Sequence, residues 1–514
     1  MRLAPGRPLR RLGVVGALVL VFAGSALAVA CHPDLPGTRT LAVRGHVDAY
    51  SMRGARVTIR ALIKGCERRI VWRPLAATSA QGRCTSAGRA AQSSGRSATD
   101  GRVRVVLELG SAFPDRPDRL AVFNARTGAV LHRWPLPAAA STVDVARGVA
   151  VLSTSNGVYA VRLRDGQFAL VGVKRPRDYP KIEAPGIVFQ DDQYKRRSAT
   201  SSLLKFVPFA SVTHALRPFG PLRVPARIGD FSFDGRSVLF VKKDPTGVCD
   251  RIGVWTIPWH YTTDLMDEPP FCPERHAAGG ITALALGGQF LEVVTTYGKV
   301  QTLISSTFVH CIEKVVTRTR LGESSIAEVA ADGPTLAYAV SKNAGPTRVG
   351  RLHGLRPAGS TALPSALRLS VDRSRIAALR SDGSVDVFKN GHVLRSFRPT
   401  RARAIALRRD HLVVLRRGAL DVYALLDGRL LHTWRVPAGT SPAVDVHYGV
   451  ALLTAGRDVL AVNLATGRRR VLVTAPRPVR AHLDDIGAVY TYNEGHSGVL
   501  GFIPFAQVER ALAA

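Results

Sequence analysis

The sequence predicts an all-β chain assembled from repeated four-stranded antiparallel sheets. From about residue 40 to the C-terminus, short apolar runs alternate with turn residues, and no sustained helical periodicity is present. Asx-Gly pairs recur between these runs. Because Asn and Asp tolerate a positive φ and Gly has no Cβ, such pairs favour tight hairpin turns. The pairs are Asp100-Gly101, Asn156-Gly157, Asp165-Gly166, Asp234-Gly235, Asp332-Gly333, Asp382-Gly383, Asn390-Gly391 and Asp427-Gly428.

The repeating unit is clearest between residues 401 and 473, where four apolar runs form one meander and four more form the next. Units of about 35 to 45 residues, each a four-stranded antiparallel sheet, are typical of a β-propeller. One such sheet cannot cover both of its faces, whereas successive blades packed around an axis cover each other. The predicted strands are 403–407, 411–416, 419–424 and 429–436 in the first unit and 444–446, 450–454, 459–464 and 469–473 in the second.

Part of the chain is present twice, which supports a repeat architecture. The first three matching blocks keep an offset of 300 or 301 residues, and the fourth, after a short insertion in the first copy, has an offset of 296. A second correspondence has another offset, since Cys66 precedes Trp72 by six residues and Cys249 precedes Trp255 by six. The matching blocks are residues 131–134 with 431–434, 143–145 with 444–446, 148–150 with 449–451 and 206–210 with 502–506.

The number of meanders predicts how the chain is divided. About eleven fit between residue 40 and the C-terminus, roughly four before residue 224 and seven after it, and a propeller ring usually has about four to eight blades. The sequence therefore predicts two propeller-like parts, at residues 40–224 and 225–514, the second being a complete ring of about seven blades. One large ring with longer blades is the alternative.

Two units resemble known repeats. Residues 122–128, which lead to Trp134, and residues 421–428, which lead to Trp434, are similar to the repeat units of PQQ-like and WD40-like bacterial β-propellers. Each tryptophan follows the glycine of its turn by six residues, a longer spacing than in the quinoprotein repeat. The resemblance implies the propeller fold and does not imply a particular function.

The N-terminus has the pattern of an export signal. Four arginines precede an apolar run at residues 12–23, and small residues at 26–30 provide cleavage triplets, so residues 1–30 are predicted to be a signal peptide or an N-terminal anchor. Cys31 follows Ala-Val-Ala, which resembles the lipobox of bacterial lipoproteins, although Ala28 stands where that family has leucine. The resemblance implies lipidation of Cys31. The body is expected outside the cytoplasm, either secreted or anchored to the cell envelope, with membrane contact only through the N-terminus.

The chain is strongly basic, with 71 Lys and Arg against 38 Asp and Glu and a formal net charge of +33. One interpretation is compositional, with arginine filling exposed positions. The other is an anionic partner, such as an acidic envelope polymer or lipid headgroups. Nucleic acid is disfavoured because the arginines are spread along the whole chain and no nucleic-acid-binding motif accompanies them.

The six cysteines suggest disulfides, since an even number in an exported chain is typical of bridged proteins. Cys66 and Cys84 bracket Trp72, and Cys249 and Cys272 bracket Trp255 in the same way. We predict the bridges Cys66–Cys84 and Cys249–Cys272, each with Cα atoms about 4.4 to 6.8 Å apart. A metal site is not predicted, because no Cys-x-x-Cys pair is present.

A contact surface is predicted at the aromatic trio Trp259, His260 and Tyr261, which lies in the connection between Cys249 and Cys272. Loops of a rigid scaffold commonly carry its binding residues. The tryptophans on predicted strands are expected to pack between sheets, with His132 and His432 packing beside two of them. These tryptophans are Trp72, Trp134, Trp255 and Trp434.

No catalytic or cofactor-binding residue is predicted. The sequence contains neither His-Glu-x-x-His nor Gly-x-Ser-x-Gly, and no Walker loop. The paired acids Asp191-Asp192 and Asp484-Asp485 are expected in turns or at solvated edges, because neighbouring side chains on a strand point to opposite faces.

The sequence therefore favours an exported, non-catalytic β-propeller scaffold, without a cofactor, that binds a protein or an anionic envelope polymer. One alternative is a quinoprotein-like redox enzyme with a cofactor on the propeller axis. A second alternative is a basic surface module that binds an anionic envelope polymer or lipid.

Overall fold

The computed structural model confirms the predicted fold class, since the described residues form eleven four-stranded antiparallel sheets. We call these sheets blades 1 to 11 in chain order. Nine are simple meanders, and blades 4 and 11 each take one strand from an earlier part of the chain. The structure describes residues 35–44, 46–63, 66–85, 95–110, 117–136, 139–154, 157–172, 179–191, 201–218, 220–235, 237–245, 250–257, 263–265, 279–287, 290–297, 300–309, 312–320, 324–342, 347–353, 356–363 and 365–514.

Blades 1 to 4 use the strands before residue 209. Blade 1 contains β2 (His46–Arg53), β3 (Arg56–Ile63), β4 (Cys66–Arg73) and β5 (Thr78–Thr85). Blade 2 contains β6 (Ser97–Thr99), β7 (Val103–Glu108), β8 (Arg119–Asn124) and β9 (Val130–Pro135). Blade 3 contains β10 (Ala140–Ala146), β11 (Val149–Thr154), β12 (Val158–Arg162) and β13 (Phe168–Gly172). Blade 4 contains β14 (Lys181–Glu183), β15 (Gly186–Asp191), β16 (Ser201–Pro208) and β1 (Arg39–Arg44), which pairs with β16.

Blades 5 to 8 follow a short helix, α1 (Phe209–Ala215), and the strand β17 (Leu222–Val224). Blade 5 contains β18 (Arg227–Phe233), β19 (Ser237–Lys243), β20 (Arg251–Thr256) and β21 (Thr263–Leu265). Blade 6 contains β22 (Gly279–Gly287), β23 (Phe290–Tyr297), β24 (Val300–Val309) and β25 (Ile312–Arg320). Blade 7 contains β26 (Ser324–Asp332), β27 (Thr335–Lys342), β28 (Thr347–His353) and β29 (Arg356–Leu363). Blade 8 contains β30 (Arg368–Asp372), β31 (Arg375–Leu379), β32 (Val385–Lys389) and β33 (His392–Phe397).

The last three blades are followed by a second helix, α2 (Phe505–Ala513). Blade 9 contains β34 (Ala402–Arg408), β35 (His411–Arg416), β36 (Ala419–Ala424) and β37 (Leu430–Arg435). Blade 10 contains β38 (Asp445–His447), β39 (Val450–Ala455), β40 (Asp458–Asn463) and β41 (Arg469–Thr474). Blade 11 contains β42 (Arg480–Asp484), β43 (Gly487–Glu494), β44 (Ser497–Pro504) and β17, which pairs with β44.

Blades 5 to 11 close into a ring. Their first strands contact one another in the order β18, β22, β26, β30, β34, β38 and β42, and β42 contacts β18 in turn. These seven strands therefore surround a central channel, and the addition of β17 to blade 11 joins the start of the ring to its end. In the first part of the chain, the first strands β6, β10, β14 and β2 contact one another in that order. The division into two domains at residue 224 stays a prediction, and the strand pairing places β17 with the C-terminal strands.

Hairpin turns set the boundaries of the strands. In blade 9, Gly428 has a φ of +78°, which a residue without a Cβ adopts at little cost, and its N–H donates to the carbonyl of Ala424. The copied turn in blade 2 uses Asn124, whose side chain accepts hydrogen bonds from the N–H groups of Arg126 and Thr127. In these two turns, the predicted glycine or Asx residue lies where one strand ends and the next begins.

The tryptophans pack between blades, as predicted. Trp72 and Trp255 are buried, and Trp134 is 8% exposed. The Nε1–H of Trp134 donates to the carbonyl of Leu163 at 2.7 Å, which ties blade 2 to blade 3. In the second copy, Trp434 makes the same bond to Leu464 at 2.9 Å. His132 and His432 stack on these two rings, with centroids 5.0 and 5.1 Å apart.

The two copies also touch each other. Blades 2 and 3 share one apolar cluster with blades 5 and 11, in which Phe168 of β13 packs edge-to-face against Phe502 of β44 at 6.1 Å. Helix α2 adds polar contacts, since Glu509 accepts from Arg119 at 2.5 Å and Arg510 lies over the ring of Trp134. The last blade of the ring is thereby fixed to the first part of the chain.

Candidate functional site

The cysteines of the first predicted bridge lie on neighbouring strands. Cys66 begins β4 and Cys84 lies in β5, where the strand register pairs it with Arg68, two residues from Cys66. Cys66 is not a free thiol. The register fits the bridge Cys66–Cys84, which stays a prediction.

The remaining predicted site residues lie outside the described residues, so their roles also stay predictions. Within the described part of the chain, no helix is long and apolar enough to cross a bilayer. The predicted anchor at residues 1–30 falls outside that part. The site residues concerned are Cys31, Cys249, Cys272, Trp259, His260 and Tyr261.

One candidate binding surface lies on the outer strands of blades 8, 9 and 10. β33, β37 and β41 are the terminal strands of their sheets, so each presents one edge that no other described strand pairs with. Large aliphatic side chains are exposed along them, and Leu426 in the preceding turn of blade 9 is 91% exposed. We call this surface the basic rim. Its exposed aliphatic residues are Val393, Leu394, Leu426, Leu430 and Val471.

The strands and turns of the basic rim are also rich in basic residues. Residues 389–398, 426–435 and 465–474 contain eight Lys or Arg and a single acid, Asp427. Such an excess produces a positive potential that attracts anionic groups and weakens as salt is added. The basic side chains that are exposed on this surface are Lys389, Arg398, Arg429, Arg435, Arg468, Arg469 and Arg470.

Side-chain contacts join the three outer strands into one continuous surface. Arg395 of β33 donates to the carbonyls of Leu426 and Asp427 in blade 9, at 2.8 and 3.0 Å. Arg469 of β41 donates to the carbonyl of Arg435 in β37 at 3.0 Å. Blade 9 is thus tied to both of its neighbours along the rim.

In the described part of the first copy, the strand that corresponds to β41 is covered. That strand is β13, in which Phe168 and Leu170 are buried because blade 11 covers them. Among the described residues of blades 1 to 3, exposed aliphatic side chains include Val130 and Leu131 on the outer strand β9 and Leu75 and Leu109 in the connections of blades 1 and 2. The same duplicated strands therefore form an interface in one copy and an exposed, basic surface in the other.

A second candidate site lies at one end of the ring's channel. The first strands of blades 7 to 11 end in polar residues at equivalent positions, because each of these residues directly precedes the first hairpin turn of its blade. Carboxylates at two of the positions accept hydrogen bonds from the next blade: Asp332 from the N–H of Arg373 at 2.5 Å and Asp372 from the N–H of Arg409 at 2.9 Å. The five residues are Asp332, Asp372, Arg408, His447 and Asp484.

Arg408 connects groups from four other blades. Its Nη1 lies 3.8 Å from carboxylate oxygens of both Asp332 and Asp372, and its Nη2 lies 3.6 Å from Asp485 and 3.3 Å from Nδ1 of His447. The side chain of Arg408 is only 16% exposed. One guanidinium therefore offsets carboxylate charge across the end of the channel.

His447, Asp484 and Asp485 form the channel-end cluster. The Nε2 of His447 lies 3.3 Å from Asp484 and its Nδ1 lies 3.1 Å from Asp485. Burial, and then the charges of Arg408 and Arg409, hold the pKa of His447 well below its ordinary value. Burial, together with the charge of Asp485, raises the pKa of Asp484 well above its ordinary value. Burial and the neighbouring charges thus favour the neutral form of His447 and the protonated form of Asp484.

The expectation of a turn or a solvated edge for Asp484-Asp485 is met by a turn, and Asp485 is 44% exposed. The turn faces the end of the channel, however, and the side chain of Asp484 is only 24% exposed. Asp191 is buried as well, and Lys205 contacts its carboxylate at 2.5 Å. Sequence reasoning missed both environments because it considered each strand without its neighbouring blade.

The channel wall contains a further acid with a shifted pKa. Asp230 of β18 accepts a hydrogen bond from the N–H of Leu284 in the next blade at 3.0 Å, and Arg480 lies 4.0 Å from it. Burial raises the pKa of Asp230, and His482 and Arg480 offset this only in part. Although 37% of the side chain is exposed, it lies between groups of the two neighbouring blades, Leu284 and Arg480, which replace part of its water.

This shift predicts how an Asp230→Asn variant responds to pH. Because the pKa of Asp230 is raised in the folded protein, the folded state holds the proton more tightly than the unfolded chain does, so this contribution to stability is lost as the pH rises. We expect the free energy of unfolding of Asp230→Asn, relative to that of the unmodified protein, to increase between pH 4 and pH 7. Urea unfolding at both pH values measures this difference. A difference that is constant, or that decreases with pH, contradicts the assignment.

Comparisons with known proteins concern only the fold. No protein-family model matches the chain, and no curated protein matches its sequence. The chain is similar in structure to the WD40 β-propeller domain of Doa1 (11% identity, TM-score 0.41, 55% of this chain and 95% of that one). It is also similar to a chain of the Mitotic Checkpoint Complex (12%, 0.41, 56% and 95%) and to Sqt1 of Saccharomyces cerevisiae (10%, 0.38, 55% and 97%). The likeness to WD40 propellers is therefore one of strand architecture, and the PQQ-like relationship stays a prediction.

Proposed function

We propose that the protein is an exported, non-catalytic β-propeller scaffold that binds an acidic, aliphatic polypeptide segment of a partner protein on its basic rim. The observation that carries this proposal is the coincidence of exposed aliphatic residues, an excess of basic residues and open strand edges on three successive blades. Contiguous exposed apolar surface of this kind typically marks an interaction site.

The open strand edges favour a polypeptide partner. An edge strand presents N–H and C=O groups that an extended peptide can pair with by β-augmentation. In a lipid bilayer, the same groups would lose water without gaining a hydrogen-bond partner, which is costly. An anionic polymer without apolar groups would leave Leu426 and Leu430 uncovered. A polypeptide that alternates aliphatic and acidic residues can pair with the open strand edges, cover the exposed aliphatic residues and contact the basic side chains.

The charge of the basic rim determines which charge a ligand must carry and how its affinity depends on salt. Arg429 directly precedes the exposed Leu430 at the start of β37, so an acidic residue next to an aliphatic one would find a cation nearby. Interactions between exposed charges are screened over about 10 Å at 0.1 M salt and about 3 Å at 1 M. Binding is therefore expected to weaken as salt is added while its apolar part persists.

The export part of the proposal rests on the N-terminal signal pattern. If residues 1–30 are removed on export, N-terminal analysis of the protein from the envelope or medium will find a chain that begins at or near Cys31. A chain that keeps its first residues and fractionates with the cytoplasm contradicts export. That result would not decide whether the basic rim binds a peptide, which is tested separately.

The rim proposal is tested with a fluorescent decapeptide of alternating Leu and Glu. We expect it to bind the full chain, and we expect the combined changes Arg429→Glu, Arg435→Glu and Arg470→Glu to weaken binding by at least about tenfold, because each removes an attraction and adds a repulsion. Fluorescence anisotropy measures the affinity. Arg126→Glu, on the corresponding turn of blade 2, is the matched control and should leave the affinity unchanged.

Two peptides separate charge from apolar contact. Alternating Leu and Lys should not bind, and polyglutamate should bind more weakly than the Leu-Glu peptide because it leaves the aliphatic residues uncovered. Binding that is insensitive to the three changes on β37 and β41, or that is reduced as much by Arg126→Glu, would exclude the basic rim as the binding surface.

A further inference from the structure

We propose that the channel-end cluster is a divalent metal site in which His447, Asp484 and Asp485 supply one nitrogen and two carboxylate ligands. The three side chains come from the ends of two neighbouring first strands, and one donor atom from each lies within 4.8 Å of the others. A site of this composition suits Mn²⁺ or Zn²⁺ better than Ca²⁺, because imidazole is a ligand for transition metals and Ca²⁺ prefers oxygen alone.

Each carboxylate lies beside a different nitrogen of the imidazole. The Nε2 of His447 lies 3.3 Å from Asp484, and the Nδ1 lies 3.1 Å from Asp485. A first-row ion with ligands at about 2.0 to 2.2 Å needs donor atoms about 3 to 3.5 Å apart. Because the two ring nitrogens face in different directions, an ion bound to one of them requires the carboxylate at the other nitrogen to move toward it, starting from donor atoms that lie within 4.8 Å of one another.

The fold holds the ligands in place. His447 is 5% exposed and ends β38, and its ring packs against that of Tyr448 at 4.9 Å. Asp484 ends β42, and its carboxylate accepts a hydrogen bond from the N–H of Asp485 at 2.6 Å. The ring therefore holds the ligand side chains in place before an ion binds.

Arg408 limits where an ion can bind, because its Nη2 already lies 3.3 Å from Nδ1 of His447. Its guanidinium contacts the cluster on one side and Asp332 and Asp372 on the other. When an ion binds the cluster, Arg408 can keep its contacts with Asp332 and Asp372, which lie on blades 7 and 8. The ion then neutralises the carboxylates on blade 11 that Arg408 offsets only at 3.6 Å.

The duplicated copy shows that the blade fold does not require these ligands. At the offset of 301, Asp445 corresponds to Asp144, and both carboxylates accept a hydrogen bond from the next blade, from Leu483 and Ile182. This shared pair therefore serves blade packing. The residues that correspond to His447, Asp484 and Asp485 are Ala146, Glu183 and Ala184. The donors His447, Asp484 and Asp485 therefore have no counterparts at these positions of the first copy. They are additional to the contacts that hold the blades together.

Metal titration of the full chain tests the proposal. After treatment with a chelator, isothermal titration with Mn²⁺ and with Zn²⁺ is expected to show one site per chain. The combined change Asp484→Asn and Asp485→Asn should weaken that site by at least about tenfold. Asp410→Asn is the matched control, because Asp410 contacts His411 at 2.8 Å in the turn of blade 9, outside the cluster. It should leave the affinity unchanged.

A spectroscopic readout on the unmodified protein does not depend on how the variants fold. Electron spin echo measurements on bound Mn²⁺ should detect coupling to the nitrogen of one imidazole. The proposal is overturned if the unmodified protein binds neither ion, if bound Mn²⁺ shows no nitrogen coupling, or if Asp410→Asn weakens the site as much as the double variant does.

Discussion

Trp134→Ala is expected to lower the free energy of unfolding by about 3 to 5 kcal/mol, the range for truncating a buried large aromatic side chain. Trp134 belongs to the apolar cluster that joins blades 2 and 3 to blades 5 and 11. Its loss leaves the carbonyl of Leu163 without its indole donor and removes the ring over which Arg510 lies, 5.4 Å from the centroid. Both packing between blades and packing between the two copies are lost.

Trp434→Ala is the matched control, because Trp434 makes the copied hydrogen bond to Leu464 but is only half-buried at the basic rim. Loss of the Trp434 side chain should lower the free energy of unfolding clearly less than loss of the Trp134 side chain. Urea unfolding followed by far-UV circular dichroism measures both changes without relying on tryptophan fluorescence. Equal losses for the two variants would show that contact between the copies adds nothing to the stability that Trp134 provides.

Arg408→Ala is expected to lower the free energy of unfolding by about 2 to 3 kcal/mol, below the full cost of breaking a buried ion pair, because Arg375 keeps its contact with Asp372 while the other carboxylates lose a cation. Asp372 is fully buried, and both Asp372 and Asp332 lie 3.8 Å from the guanidinium. On the other side, Asp485 loses the cation that lies 3.6 Å away. The effect should appear in the unfolding of the seven-blade ring, to which all these residues belong.

Arg417→Ala provides the comparison for Arg408. Arg417 is exposed in the turn between β35 and β36 of the same blade, and substitutions at such positions usually change stability by less than about 0.5 kcal/mol. Urea unfolding at pH 7 measures both. A loss for Arg408→Ala as small as that for Arg417→Ala would mean that the carboxylates at the channel end are solvated well enough to need no internal cation.

Strand positions could be predicted from sequence because the turn residues and the apolar runs agree. In blades 9 and 10, the predicted strands 411–416 and 419–424 have the same bounds as β35 and β36, and the others differ by one or two residues. Tryptophan packing was predictable for a related reason: Trp134 and Trp434 recur at the same place in a duplicated strand.

The channel end was not predicted because its residues form no motif. They come from five blades, are 36 to 40 residues apart in the sequence, and differ in type. The signal that does identify them is positional, since each is the last residue before the first hairpin turn of its blade. Aligning the blades at that turn would have placed Asp332, Asp372, Arg408, His447 and Asp484 in one ring.

The basic rim was not predictable either, because exposure of an outer strand depends on what packs against it. β13 and β41 are copies of one strand, yet blade 11 covers β13 while β41 exposes Arg469, Arg470 and Val471. Sequence predicts that both are strands. Only the packing of the two copies determines which one is a surface.

Hydrogen exchange of the full chain, with and without the alternating Leu-Glu decapeptide, tests the scaffold proposal most directly. If the peptide pairs with the open edges of the rim, exchange of backbone amides should slow in β33 (His392–Phe397) and β37 (Leu430–Arg435) and should stay unchanged in β9 (Val130–Pro135). Slower exchange confined to β9 or to the channel end, or no change at all under conditions where the peptide is bound, would contradict it.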